Sequence, residues 1–264
     1  MSDRQQERVD RAQPSKGWPI SSTFLALIAA FLFCAVWMLY RPDHARMLVF
    51  PFVFIGFVIS LCLHEYGHAI VAYHCGDHTV RDKGYLTLDP LRYTDLQYSI
   101  LFPLIIMALG GIGLPGGAVY INLHYLRRPI YGSLVSAGGP LGTAVVLALL
   151  MGLFAAVPEM SKTAPVLYQA LAFLALLQVT ALIFNLIPCP GLDGWGIIEP
   201  FLPAPLRDFG RRIAPFAILV LVAALFFVPG LSRWLWRTVF AACAFVGLDA
   251  RAAFTGLRLF QFWQ

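Results

Sequence analysis

Charge is scarce in this chain. Asp, Glu, Lys and Arg make up 12% of its 264 residues, about half the share of a soluble domain, and Met47 to Leu63 carries none. Together with 59% hydrophobic residues and a mean hydropathy of +0.73, this excludes an ordinary water-soluble globule. No polar stretch is long enough for a separate soluble domain. Paired cysteines are also missing: Cys34, Cys62, Cys75, Cys189 and Cys243 form no regular spacing, so no disulfide framework is read. The net charge of +5 is spread over the ends of apolar runs and is no nucleic-acid footprint.

What is present is a series of apolar runs. Residues 1–17 form a polar tail with Arg4, Arg8, Arg11 and Lys16, and no signal-peptide cleavage pattern follows the first apolar run. Spans are expected at Trp18–Tyr40, Met47–Cys75, Tyr131–Val157, Pro165–Ile187 and Ile213–Val228, and Leu231–Leu248 reads either as a sixth or as an interfacial segment. Ser99–Ile112 is too short to cross and reads as re-entrant, and Ala118–Asn122 reads as a short strand after a Gly/Pro-rich turn. The pattern predicts an all-α polytopic membrane protein of about six transmembrane helices. A small membrane-associated β segment and re-entrant region would lie between the second and third full spans. Residues 18–248 form one transmembrane domain with its central part at about 47–200, and 249–264 is an amphipathic tail expected at the interface. With the N-terminus in the cytoplasm, alternation of spans puts most Lys and Arg inside, together with the second half of the second span.

That half-span carries His64-Glu65-Tyr66-Gly67-His68. On a helix, positions i and i+4 share a face, so two imidazoles reach one ion. Zinc accepts two imidazole nitrogens and an oxygen ligand, leaving one position for water. Glu65 stands beside the first ligand, where it can take a proton from that water. Two histidines on a buried helix can also occur by chance. A carboxylate in the same span costs several kcal/mol unless it serves a site, which argues for function.

A second constellation follows the fourth span: Asn185-Leu-Ile-Pro188-Cys-Pro190-Gly191-Leu192-Asp193-Gly194. Pro188 and Pro190 end the helix, and the two glycines permit a tight turn that can aim Asp193 back at the histidines. Span parity puts both constellations on one side of the membrane.

These motifs resemble the site-2 protease family of intramembrane zinc metalloproteases, in its compact branch without PDZ or CBS domain. The resemblance also covers Gly139-Pro140, Gly84–Pro90 and Gly113–Val119, the last two looking like that family's membrane-associated sheet region. It implies one Zn2+ per chain held by His64, His68 and Asp193, with Glu65 as catalytic acid/base and Asn185 near the scissile peptide. The implied function is an intramembrane endopeptidase acting on transmembrane protein substrates in the lipid bilayer. Gly142-Thr143 stands where many relatives have an Asn, and carries no assigned role.

Other residues take plainer readings. His74 and His78 read as interfacial, His124 as a headgroup-level residue, and Cys189 and Glu199 as loop residues near the site. Two other functions use the same residues: an ion or metal transporter, and a non-catalytic family member that escorts membrane proteins. A transporter does not require a Glu beside the first His, and no core motif residue is missing here.

Overall fold

The computed structural model describes residues 20–93, 121–122 and 125–263. Every regular element among them is helical. The long ones are α1 (Ser22–Tyr40), α2 (Val49–Cys75), α3 (Tyr131–Ala156), α4 (Pro165–Asn185), α5 (Asp193–Ile198), α6 (Ala204–Phe227), α7 (Pro229–Val246) and α8 (Ala250–Phe260). Five elements are long and apolar enough to cross a membrane, and α7 with α8, bent by 119° at their junction, make a sixth candidate.

The centre is α4, which is buried on all sides from Ala170 to Ala181. Its Leu174 fits against Gly56 of α2, where an added Cβ would stand 2.7 Å from the leucine side chain. Since Asn185 ends α4 at the level of the α2 motif, α2 and α4 run parallel. α3 runs antiparallel to α2, pairing Gly138 with Gly67 and Gly142 with Leu63. A Cβ at Gly67 would collide with the Gly138 carbonyl, and one at Gly142 with the Leu63 carbonyl. Lipid gives helices no hydrophobic reason to associate, so close backbone approach through small residues does the work.

The chain's ends and loops depart from expectation. α1 begins at Ser22, with the Ser21 hydroxyl accepting the Phe24 N–H at 3.0 Å; Trp18 lies outside the described residues. Arg41 to Arg46 belongs to a 3-10 turn, Pro42–Leu48. No strand occurs among the described residues. Gly84 to Pro90, expected near a sheet, forms a 3-10 turn at Tyr85–Thr87 flanked by left-handed Gly84 (φ 75°) and Leu88 (φ 57°). Of the expected strand, Ala118–Tyr120 lie outside the described residues, as does the re-entrant Ser99–Ile112. Ile121 and Asn122 have no regular structure. The Asn122 N–H is donated to the buried Asp77 carboxylate at 2.8 Å.

The span expected at Ile213–Val228 starts earlier: α6 begins at Ala204, with Pro205 in its first turn, and α5 lies between it and α4. The tail is not an interfacial anchor on the metal side. Gly256 of α8 abuts Gln169 and Phe173 of α4, and the Phe260 ring lies 4.9 Å from that of Phe50. These are the N-terminal halves of α4 and α2, the end away from His64. Ala252, Ala253 and Phe260 are buried there, so the apolar face of α8 meets protein.

Candidate metal centre

Three side chains converge where α2, α3 and α5 meet. The Nε2 atoms of His64 and His68 are 3.2 Å apart. Asp193 places Oδ2 3.3 Å from His64 Nε2 and Oδ1 3.2 Å from His68 Nε2. One ligand atom from each residue lies within 4.8 Å of the others. His64 and His68 are 6% and 8% exposed.

The fold imposes this convergence. The histidines are one helical turn apart on α2. Asp193 opens α5, held against the end of α4 by Gly194, where a Cβ would collide with the Leu186 carbonyl. The Ser133 hydroxyl donates to the Ile197 carbonyl at 2.6 Å and ties α5 to α3. Gly139 of α3 leaves the space in front of the imidazoles: a Cβ there would stand 2.6 Å from His64 Nε2 and closer still to His68 Nε2.

The other ring nitrogens are held as well. His68 Nδ1 lies 2.8 Å from the Val135 carbonyl oxygen, so it carries the proton and donates. The Gly139 N–H is also 3.3 Å from Nδ1, a longer contact that the carbonyl overrides. His64 Nδ1 meets the Thr143 hydroxyl at 2.9 Å. The two Nε2 atoms thus stand 3.2 Å apart, a close pair of nitrogens that a proton or a cation between them relieves. Asp193 Oδ2 is buried, with His64 Nε2 at 3.3 Å and no well-aligned hydrogen bond among the described residues. Burial raises the Asp193 pKa, but the two imidazoles outweigh it and hold the carboxyl at about 2, so it is ionised. Donor atoms about 2.0–2.1 Å from a tetrahedral zinc stand about 3.3 Å apart, which is the spacing seen here. The donor set therefore fits zinc.

The sequence also pointed to residues beyond these three. Glu65 is buried, 2% exposed, one residue beyond His64 on α2. Asn185 is the buried last residue of α4, and its amide makes no hydrogen bond among the described residues. Glu199 does not reach a histidine; it accepts from Arg211 Nε at 2.8 Å. Cys189 lies outside the cluster, and burial pushes its thiol pKa up, away from thiolate. His74 and His78 are exposed, and His124 lies outside the described residues. Sequence reasoning missed the roles of Val135, Gly139 and Thr143. Their signal was present as an i, i+4, i+8 face of α3, but nothing in the sequence says what that face meets.

The fold and the site define a class before any relative is considered. Two imidazoles and a carboxylate close on one ion among helices long enough to span a bilayer, with room for a further ligand, which is the ligand pattern of hydrolytic zinc enzymes. Comparison with known proteins agrees. The chain is 42% identical over 217 residues to a protein named as a zinc metalloprotease, Rip2 of Mycolicibacterium smegmatis, covering 81% of this chain and 82% of that one. Rip2 of Mycobacterium tuberculosis H37Rv is 44% identical over 222 residues, with the same coverage. YwhC of Bacillus subtilis, also named as a zinc metalloprotease, is 31% identical over 193 residues, covering 70% of this chain and 84% of the relative. No family model and no solved structure matches.

The chain belongs to the site-2 protease family of zinc metalloproteases. It is a membrane protein and a zinc metalloprotease with Zn2+ as its cofactor.

Proposed function

We propose that this protease is an intramembrane endopeptidase that hydrolyses peptide bonds in or near transmembrane segments of membrane-protein substrates. One observation carries the reading: the buried convergence of His64, His68 and Asp193 among apolar helices of spanning length. In this reading His64, His68 and Asp193 hold the zinc. When bound, the ion supplies Lewis acidity, polarising the peptide carbonyl and acidifying water. Val135 and Thr143 fix the two rings so that their Nε2 atoms face the ion. Glu65 takes the proton of the attacking water and delivers it to the leaving amine. The Asn185 amide, free of other bonds among the described residues, is available to the substrate carbonyl oxygen. A helical substrate has its carbonyls hydrogen-bonded, so it must unwind locally before attack.

The reading also places the N-terminus in the cytoplasm and the zinc toward that side. Arg81, Lys83, Arg92, Arg127, Arg128, Arg207, Arg211 and Arg212 all lie in segments at the metal end. The excess of positive charge there remains when Arg251 and Arg258 are moved to the opposite end with α8.

The test is Glu65→Gln in the full chain, co-expressed with a single-span membrane substrate. Zinc content stays at one per chain and cleavage is lost. Cleavage at the wild-type rate rejects Glu65 as the base. Zinc flux into liposomes without proteolysis favours a transporter.

A further inference from the structure

A cavity of about 380 Å³ lies beside the metal centre and is not used by the chemistry above. It is bounded by the first two turns of α3, by α5 and the turn after it, and by the start of α6. Its polar lining is Ser136, Glu199, Arg207 and Arg211. Glu199 neutralises Arg211 at 2.8 Å. Arg207 makes no ion pair or hydrogen bond among the described residues, and neither does the Ser136 hydroxyl. The cavity thus offers one uncompensated guanidinium and one unused hydroxyl, a donor set that suits an anion.

The same helix indicates which anion. All charged residues of α6, Arg207, Asp208, Arg211 and Arg212, precede Ile213. Beyond them only 6% of the spanning window is buried, and Phe216, Leu219, Val220, Phe226 and Phe227 are exposed. In a bilayer that surface is covered by acyl chains. The charged first turns therefore stand at headgroup level, where basic pockets between spans receive anionic headgroups.

We propose that this cavity binds the phosphodiester headgroup of an anionic phospholipid. Arg207 is its principal contact, Ser136 is a hydrogen-bond donor, and the acyl chains lie along α6. An occupant here joins α6 to α3 and α5. Ser136 follows the residue that holds His68, and α5 begins at Asp193. The inference stands apart from the proteolytic reading, because it concerns lipid retention and not cleavage.

The experiment uses the purified full chain, with retained lipid counted by native mass spectrometry. The protein is equilibrated with vesicles of phosphatidylcholine and phosphatidylglycerol in equal parts. The expected result is one phosphatidylglycerol retained in preference to phosphatidylcholine. Arg207→Gln weakens that preference by about fivefold, while Arg212→Gln, at an exposed residue outside the cavity, changes it by less than about twofold. Glu199→Gln frees Arg211 and strengthens retention, a change of opposite sign that damage to the fold would not produce. Zinc content monitors folding throughout. Equal losses in Arg207→Gln and Arg212→Gln overturn the proposal in favour of general surface attraction. So does displacement of the lipid by millimolar inorganic phosphate, which makes the cavity a site for the free anion. If Arg207→Gln leaves lipid retention unchanged and slows only substrates with an acidic residue near the cut, the cavity is a peptide subsite and the proposal fails.

Discussion

Gly139 and Gly152 lie on one helix, and their surroundings have nothing in common. Around Gly139, a Cβ would meet both imidazole Nε2 atoms; at Gly152 it would meet nothing within 4 Å beyond the helix's own backbone among the described residues. The same contrast separates α4 from α6. Both are apolar enough to span a bilayer, yet 72% of the spanning window of α4 is buried and 6% of that of α6. Apolar composition therefore does not decide which helix builds the site. Small residues that admit close approach do so, together with polar groups that find partners across helices.

The largest expected effect comes from placing one methyl group in each region. Gly139→Ala is expected to take zinc content from one per chain to near zero and to abolish cleavage, because the added carbon occupies the ligand space. Gly152→Ala and Gly230→Ala, both in open helical positions, should keep full zinc and activity. Zinc analysis of the three purified variants checks this, and retention of zinc in Gly139→Ala breaks the contrast.

The next effect sharpens it within the metal region. Thr143→Val keeps the volume but removes the hydroxyl beside His64 Nδ1, and is expected to weaken zinc binding by about 10–100-fold. Thr143→Ser should restore most of it. Competition against a chelator of known affinity measures both.

How much of this was legible in the sequence follows the same division. His64 and His68 could be read because helical spacing alone puts the two histidines on one face. Asp193 could be read because Pro188, Pro190, Gly191 and Gly194 mark a turn just after a span, and parity places that turn. Thr143 and Val135 could not, since their bonds to the histidines bridge 79 and 67 residues. The position of α8 was misread for another reason. Its amphipathic pattern is the same whether the apolar face meets acyl chains or α4, and only Gly256 against Gln169 decides between them. The expected strand at Ala118–Asn122 rested on turn residues, whereas Asn122 pairs with a side chain, Asp77.

A smaller effect tests the interior of α4. Gln178 is 2% exposed, and its amide nitrogen has no hydrogen-bond partner among the described residues. Gln178→Leu should leave the fold as stable or raise its stability by roughly 1–3 kcal/mol, since a buried unsatisfied donor is removed. Unfolding in mixed detergent micelles reads this; a loss of stability would mean the amide has a partner in the membrane. Smallest of all, Gly152→Ala and Gly230→Ala should each add about 0.5–1 kcal/mol of stability from helix propensity alone.

The central claim is a single zinc held by residues from two distant segments inside the membrane region. X-ray absorption at the zinc edge on purified Glu65→Gln protein tests it most directly, with His68→Ala and Asp193→Ala prepared alongside. The account predicts one zinc per chain with two imidazole nitrogens at about 2.0–2.1 Å and oxygen in the remaining positions, and loss of the metal in both alanine variants. A full complement of zinc with unchanged coordination in Asp193→Ala would contradict it.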